Sequence, residues 1–282
     1  MLNRREFIAG IAVAATAGEP ARLRAACQTN AWKMDDPPYP TLLQALAAIK
    51  KLGFDGFETG YRNVEATFAD PKAAKAEIQQ TGLRFFACHI FRSQYEAKTN
   101  LPEFELIDRV ARGAAGLGAE RLIVSGSPVE GDAQMLSWKA GGLNRAGRLT
   151  NEVGLGRVCY HNHGPEFENN AAEMEALMKE TDSDVVRFVI DCGHALRRKA
   201  DIAGFFAKHH KRIEGLHLRD FKNDVQVPLG QGEFSYAPLA AAIRKAKWTG
   251  WVINEEERES GEKPGESAVG PAREQVKKLF GV

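Results

Sequence analysis

Four short apolar runs in this sequence end in clusters of metal-ligating or acid–base residues. Runs of this length that are rich in β-branched residues are typical of strands buried on both faces, as in a parallel sheet. Polar groups at the C-terminal ends of many parallel strands indicate an α/β barrel with its active site at that face. The clusters are His161-Asn162-His163, Asp191-Cys192-Gly193-His194, His217-Leu218-Arg219-Asp220 and Asn254-Glu255-Glu256-Glu257.

The whole chain repeats a strand–helix unit about every 30 residues, the size of one βα unit. Eight strands with helices between them and no low-complexity linker predict a single (β/α)8 TIM barrel over residues 19–282. The alternative, an open doubly wound sheet, is disfavoured because no strand-to-helix turn carries a G-x-G-x-x-G fingerprint. The predicted strands are Leu23–Gln28, Gly56–Thr59, Leu83–His89, Arg121–Ser125, Arg157–His163, Val186–Asp191, Ile213–Leu218 and Gly250–Glu255. The predicted helices are Thr41–Leu52, Pro71–Thr81, Pro102–Leu117, Ala171–Glu180, Ile202–His209 and Tyr236–Ala246.

Residues 1–18 differ from the rest of the chain. Arg4 and Arg5 precede a short run of small, weakly apolar residues that ends in Ala15-Thr16-Ala17. This pattern predicts a twin-arginine export signal that is too short to anchor the protein in a bilayer. We expect removal near Ala17 and a mature protein in the periplasm; the alternative is an ordinary amphipathic first helix.

Charge and cysteine content narrow the range of partners. A formal net charge of +1 over 282 residues gives no electrostatic footprint for nucleic acid or an anionic membrane. The expected partner of the mature protein is therefore a small molecule. Assembly into a homo-oligomer is an open alternative to a monomer. The four cysteines lie far apart in or beside predicted strands, which predicts buried small side chains and not a disulfide framework.

The strand-end residues form a plausible ligand set for one divalent metal ion. Residues of a barrel strand alternate between the barrel interior and the helix layer, so His161 and His163 share one direction. Asp191 and His194 lie three residues apart, across a tight turn, and can both face the mouth of the barrel. A mixture of imidazoles and carboxylates suits Mn²⁺, Co²⁺, Zn²⁺ or Fe²⁺ better than Mg²⁺ or Ca²⁺. The predicted metal ligands are His161, Asp191, His217 and Glu255.

The segment Tyr160–Phe167 resembles the Y-H-N-H-x-x-E-F signature of the xylose isomerase-like TIM-barrel superfamily, often called sugar phosphate isomerases/epimerases. The resemblance covers nearly all of the chain after the export signal. It implies one divalent ion, commonly manganese, held by the four residues above, and it implies that His194 and Arg219 contact substrate oxygens. The later matching segments are Ile190–His194, Leu216–Asp220, Pro228–Phe234 and Trp251–Glu255.

The chain departs from one branch of that superfamily at the fifth strand. Ketose 3-epimerases of the superfamily use glutamates on both the fifth and the eighth strands, whereas this chain has His161 at the fifth-strand position. Inosose dehydratases and lyases of 3-keto-glycosides resemble the histidine variant more closely. The resemblance to the superfamily as a whole implies a metal-dependent sugar isomerase or epimerase. The histidine at the fifth strand makes the alternative a dehydratase or lyase that performs β-elimination on a 3-keto-glycoside or inosose-like substrate.

Both reactions begin with removal of a proton next to a carbonyl of a sugar or keto-sugar. A metal ion that binds the carbonyl stabilises the resulting enolate, and a positioned base contributes about 10²–10⁴-fold to the rate. Glu255 is the predicted base, with His163 or Glu166 as the second acid–base group. Glu58 and His89, which end the second and third strands, are predicted to bind substrate hydroxyls or to assist proton transfer, unless they only plug the barrel mouth.

Glu256 and Glu257 are predicted to be solvated, because Glu256 has the wrong parity to face the barrel interior and Glu257 lies beyond the strand.

Two further hypotheses share the predicted barrel. An endonuclease IV-like enzyme needs three metal ions and extra histidines, but the fourth strand ends in Ser125-Gly126-Ser127 and no histidine follows Phe221 closely. A non-catalytic periplasmic protein that binds sugar or metal has the same features as the enzyme, so only an assay separates the two.

Overall fold

The computed structural model describes residues 22–91, 94–258 and 260–282. The predicted export signal therefore lies outside the described residues. The barrel strands are β1 (Arg24–Gln28), β2 (Gly56–Gly60), β3 (Arg84–Ile90), β4 (Arg121–Ser125), β5 (Val158–His161), β6 (Val186–Asp191), β7 (Ile213–Leu218) and β10 (Trp251–Asn254). These eight parallel strands form a closed barrel in the order β1-β10-β7-β6-β5-β4-β3-β2.

Helices surround the barrel, as expected of (β/α)8 architecture. They are α1 (Pro38–Lys51), α2 (Pro71–Gln80), α3 (Phe104–Leu117), α4 (Ala133–Glu152), α5 (Glu168–Glu180), α6 (Cys192–Arg197), α7 (Ile202–His209), α8 (Ala237–Ala246) and α9 (Glu266–Phe280). A two-stranded antiparallel hairpin, β8 (Asp220–Lys222) and β9 (Val225–Val227), follows β7. The prediction of a single (β/α)8 barrel is confirmed, whereas α4, α6, α9 and the hairpin were not predicted.

Two hydrophobic layers hold the barrel together. The larger layer lies between the strands and the helices, and it contains nearly all of the large apolar side chains. A smaller cluster fills the barrel interior, and its members are Ala26, Phe86, Ala87, Ile123, Cys159, Val189, Trp251 and Ile253. This interior plug closes the barrel below its C-terminal end, so polar side chains near the strand ends lie on an apolar floor.

The strand alternation places the predicted site residues on the barrel axis. His161, Asp191 and Glu255 each come two residues after a member of the interior cluster. His217 comes two residues after Gly215, where an added Cβ would lie 2.9 Å from the side chain of Ile253. Because residues i and i+2 share one face of a strand, the ligand positions inherit the inward direction of the plug.

The loop after the hairpin is organised by the buried carboxylate of Asp220. This carboxylate accepts hydrogen bonds of 2.9 to 3.2 Å from the backbone N–H groups of Phe221, Gly230, Gly232 and Phe234. A Cβ at Gly232 would come within 2.1 Å of Asp220 Oδ1, so only glycine allows this approach. The loop is thereby fixed beside the end of β10.

The prediction that Glu256 is solvated is wrong. Its side chain is fully buried and accepts hydrogen bonds from Leu229 N and Asn254 Nδ2, both 3.1 Å long. The alternation of side chains along the strand correctly predicted that Glu256 points away from the barrel axis. The loop 228–234 covers that face of the strand and excludes water. Glu257, also expected in solvent, is partly covered, with 42% of its side chain exposed and an oxygen 3.5 Å from Arg219.

The four cysteines are buried free thiols, which confirms that they are small interior side chains. Within the described ranges, none of the helices has the length and apolar character needed to cross a membrane.

Candidate metal centre

The four predicted metal ligands meet at the mouth of the barrel. Each offers one ligand atom, and these atoms all lie within 4.8 Å of one another. The residues come from the ends of β5, β6 and β7 and from the position after β10, and none is more than 3% exposed: His161, Asp191, His217 and Glu255.

His217 lies at the centre of the cluster. Its Nδ1 atom is 2.5 Å from Glu255 Oε2 and 3.2 Å from His161 Nε2. Asp191 Oδ2 lies 3.8 Å from the same nitrogen of His161. One nitrogen of each imidazole and one oxygen of each carboxylate therefore face a common volume.

Asp191 also begins helix α6. Its Oδ1 atom accepts a 2.8 Å hydrogen bond from the backbone N–H of His194, as an N-cap residue does. The expected tight turn between Asp191 and His194 is thus the first turn of a helix. The other oxygen, Oδ2, is buried and forms an ion pair with Arg219, whose Nε lies 2.8 Å away, but among the described residues it accepts no hydrogen bond of regular geometry. A carboxylate oxygen has more than one lone pair, so Oδ2 can bind a cation while it remains paired with Arg219.

The charges around this volume fit a divalent cation. Glu58, Asp191 and Glu255 bring three buried carboxylates, and the buried guanidinium of Arg219 brings one positive charge. Two net negative charges remain, which an M²⁺ ion would neutralise. Nitrogen and oxygen donors together suit Mn²⁺, Co²⁺, Zn²⁺ or Fe²⁺, so the residues fit the implied ion.

Charge pairing outweighs burial for the central groups. Burial opposes ionisation of Glu255, but the positive charges of Arg219 and then His217 hold its pKa well below the usual range. Burial also opposes the imidazolium of His217, but the carboxylates of Glu58 and Glu255 raise the pKa of His217 to about 10. The carboxylates and the imidazole therefore favour each other's charged forms.

Glu58 and His89 lie beside the two predicted histidine ligands. Glu58 is fully buried; its oxygens are 2.7 Å from His217 Nε2 and 2.9 Å from His89 Nδ1. His89 is 6% exposed and lines the cavity above the cluster. Glu58 does not line it, so its position favours support of the two histidines over contact with substrate hydroxyls.

A cavity of about 430 Å³ opens above the ligand cluster. Its wall includes His163, His194 and Arg219, and the exposed ring of Phe91 lies at the rim against His163. Burial lowers the pKa of both His163 and His194, which therefore favour the neutral imidazole at neutral pH. The cavity thus presents neutral imidazoles beside the predicted metal site.

Arg219 links two of the predicted metal ligands. Its Nε lies 2.8 Å from Asp191 Oδ2, and its Nη2 lies 2.6 Å from Glu255 Oε2. A Cβ at Gly193 would come within 2.2 Å of the Arg219 side chain, so glycine is needed where α6 begins. The guanidinium therefore borders both the metal site and the cavity.

Glu166 lies behind the cavity wall. It is fully buried, accepts a 2.9 Å hydrogen bond from the Tyr160 hydroxyl, and accepts a 3.2 Å bond from the backbone N–H of His163. It does not line the cavity, so its geometry favours fixing the backbone of His163 over exchanging protons with a substrate.

Sequence reasoning did not assign several polar residues to the site, among them Ser125, Asn30 and Glu257. Ser125 bridges His89 and His161, and the Nδ2 atom of Asn30 lies 3.4 Å from Glu255 Oε1. Glu257 also lines the cavity. Ser125 ends β4, just as other site residues end their strands. Its position at a strand end is the sequence signal that could have identified it as a site residue.

Comparison with known proteins agrees with this geometry. The sequence profile of the family described as xylose isomerase-like TIM barrel matches residues 46–279. An inosose dehydratase from Geobacillus kaustophilus is 26% identical over 271 residues, covering 81% of this chain and 85% of the relative.

Solved structures share the fold at lower identity. A sugar phosphate isomerase/epimerase from Parabacteroides distasonis superposes with a TM-score of 0.71 at 20% identity, covering 93% of this chain and 98% of that one. A 3-keto-D-glucoside 4-epimerase from E. coli superposes with a TM-score of 0.72 at 16% identity, covering 93% and 100%. With its barrel and its matched profile over most of its length, the chain belongs to the xylose isomerase-like TIM barrel family.

Proposed function

We propose that this protein is a divalent-metal-dependent enzyme that removes a proton next to the carbonyl of a sugar or keto-sugar and returns it, as an isomerase or epimerase does. The observation that carries the proposal is the convergence of two imidazoles and two carboxylates on one buried volume below a cavity whose wall includes His163, His194 and Arg219. The family membership supports a small carbohydrate as substrate.

In this proposal the ion is held by His161, Asp191, His217 and Glu255, and Mn²⁺ is the first candidate among the ions that suit such ligands. When bound, the ion supplies positive charge that stabilises the oxyanion formed as the carbon next to the carbonyl loses its proton.

Glu255 is the proposed base. Its Oε2 atom is held by His217 and Arg219, at 2.5 and 2.6 Å. Its Oε1 atom has a longer contact, 3.4 Å to Asn30 Nδ2. Oε1 is therefore the oxygen better placed to accept a proton from a molecule in the cavity.

His163 is the proposed second acid–base group. It lines the cavity, and its lowered pKa keeps the imidazole neutral and able to accept a proton. The bond from its backbone N–H to Glu166 fixes its position. His194 and Arg219, on the same wall, are proposed to bind substrate oxygens.

The second candidate is β-elimination from the same carbanion, as in a dehydratase or lyase. Two observations favour it: the fifth-strand ligand is His161 in place of a second carboxylate, and several sequence relatives are inosose dehydratases. In that reaction the bond from the β-carbon to oxygen breaks, and the departing oxygen takes up the proton that Glu255 removed from the neighbouring carbon, with His163 as the cavity group that could relay it. The substrate would be a 3-keto-glycoside or an inosose-like ring.

Metal analysis of the purified protein, combined with NMR of keto-sugars in D₂O, tests the proposal. We expect about one divalent ion per chain and enzyme-dependent entry of deuterium next to the carbonyl. An isomer or epimer as product supports the first candidate, and an unsaturated product supports the second. Absence of both deuterium entry and product across keto-hexoses, 3-keto-glycosides and inososes would refute both.

We further propose that residues 1–18 direct export to the periplasm through the twin-arginine route. Replacing Arg4 and Arg5 together with lysines should leave the full-length protein in the cytoplasm, because that route requires the arginine pair. Cell fractionation and immunoblotting measure the distribution. The matched control is an exposed pair far from the signal, Lys277 and Lys278 changed to arginines. Normal export of the Arg4/Arg5 variant would contradict the assignment.

A further inference from the structure

The two histidine ligands are joined behind the metal site by a continuous chain of hydrogen bonds. His161 Nδ1 is 3.3 Å from Ser125 Oγ, which is 2.7 Å from His89 Nε2. His89 Nδ1 is 2.9 Å from one oxygen of Glu58, and His217 Nε2 is 2.7 Å from the other. All five side chains are buried.

The direction of each bond follows from its acceptors. The Glu58 carboxylate can only accept, so His89 Nδ1 and His217 Nε2 must both carry hydrogen. A neutral His89 then has its lone pair on Nε2 and accepts the hydroxyl hydrogen of Ser125. The oxygen of Ser125 in turn accepts a hydrogen from Nδ1 of His161.

This direction points the ligand nitrogen of each imidazole at the centre. With hydrogen on Nδ1, His161 turns the lone pair of Nε2 toward the shared volume. With hydrogen on Nε2, His217 presents Nδ1 to the same volume, 3.2 Å from His161 Nε2 and 2.5 Å from Glu255 Oε2. Any hydrogen that Nδ1 shares with Glu255 would leave when an ion binds, whereas the hydrogen on Nε2 stays with Glu58. If the chain ran in reverse, His161 would point a hydrogen at the metal and could not bind it.

We propose that Ser125 and Glu58 are positioning residues that fix the tautomers of His161 and His217, and so prepare both imidazoles to bind the divalent ion. The inference rests on the proposed metal site but not on the reaction that follows. Ser125 suits this role because a hydroxyl both donates and accepts, and Glu58 suits it because one carboxylate holds two imidazoles.

The tautomers can be observed directly in the metal-free protein. In ¹⁵N NMR of the histidine-labelled chain, we expect the ring hydrogen of both His89 and His161 on Nδ1. A histidine without such partners favours hydrogen on Nε2 in water, so the expected state is distinctive. Hydrogen on Nε2 of either residue, or a doubly protonated His89, would overturn the inference.

Metal affinity supplies the second readout. Titration with Co²⁺, followed by its visible absorption, should show affinity reduced about 10- to 100-fold in Ser125→Ala and recovered in Ser125→Thr, which keeps the hydroxyl. The control is Ser127→Ala, whose hydroxyl lies outside this chain of bonds. Unchanged affinity in Ser125→Ala would overturn the inference.

If Ser125→Ala does not fold, the NMR spectrum of the unaltered chain still decides the tautomers. If the protein binds Co²⁺ with the expected tautomers but exchanges no proton with any keto-sugar, the inference stands and the proposed function fails.

Discussion

Glu255→Gln should slow exchange of the proton next to the substrate carbonyl by about 10²–10⁴-fold, the usual contribution of a positioned base. The amide has nearly the shape of the carboxylate but cannot accept the proton. Deuterium entry from D₂O into a keto-sugar, followed by NMR at saturating Mn²⁺, measures the effect. Saturating metal separates loss of the base from weaker binding of the ion.

The matched control for this variant is Glu262→Gln, which makes the same change at an exposed position on the loop that follows β10. It should exchange deuterium at the rate of the unaltered protein. If Glu255→Gln did the same, the base would have to be reassigned, and His163 would be the first candidate because it lines the same cavity.

Asp191→Ala should abolish retention of the metal ion. Residues that only support a ligand contribute about 10- to 100-fold to metal affinity, so loss of a ligand should cost more than about 100-fold. Metal content after dialysis, measured by mass spectrometry, reports the result, and circular dichroism shows whether the fold persists. Asp184→Ala, at an exposed position before β6, is the control.

Asp191→Asn separates the two roles of this residue. Its amide oxygen can still cap α6 by accepting the N–H of His194, but the second carboxylate oxygen is gone. We expect a folded protein with little bound metal. Full metal content in Asp191→Asn would show that the buried Oδ2 atom is not a ligand.

The barrel could be predicted because its signal is local. A strand buried on both faces has to be apolar along its length, and a polar residue at its end stands out, as Asp191 does after Phe188–Ile190. The predicted strand boundaries differ from those observed by at most two residues. Alternation along each strand then predicted which side chains share the barrel axis.

Helices α4 and α9, which the sequence pattern did not predict, contain residues that are unusual inside a helix. Helix α4 contains Gly142 and Gly147, where an added Cβ would lie 2.9 Å from Leu101 and 2.4 Å from Val185. Helix α9 contains Pro271. Glycine and proline are typical of helix ends, so their presence inside α4 and α9 kept the sequence pattern from predicting these two helices.

The roles of the supporting residues depend on contacts across the barrel. Glu58 holds His217, which lies 159 residues further along the chain, and Glu256 is buried by a loop that parity cannot detect. A strand pattern predicts the direction of a side chain but not what covers it. For this reason the ligand set could be proposed from the sequence, whereas Ser125 could not be assigned a role.

The arrangement of the strands has a consequence for protein engineering. The proposed ligands all come from one contiguous arc of the barrel, β5, β6, β7 and β10, while β2, β3 and β4 form part of the opposite arc. A chimera that grafts a new opposite arc to alter specificity would keep every coordinating atom. It should nevertheless bind its ion more weakly unless the new arc also carries Glu58, His89 and Ser125.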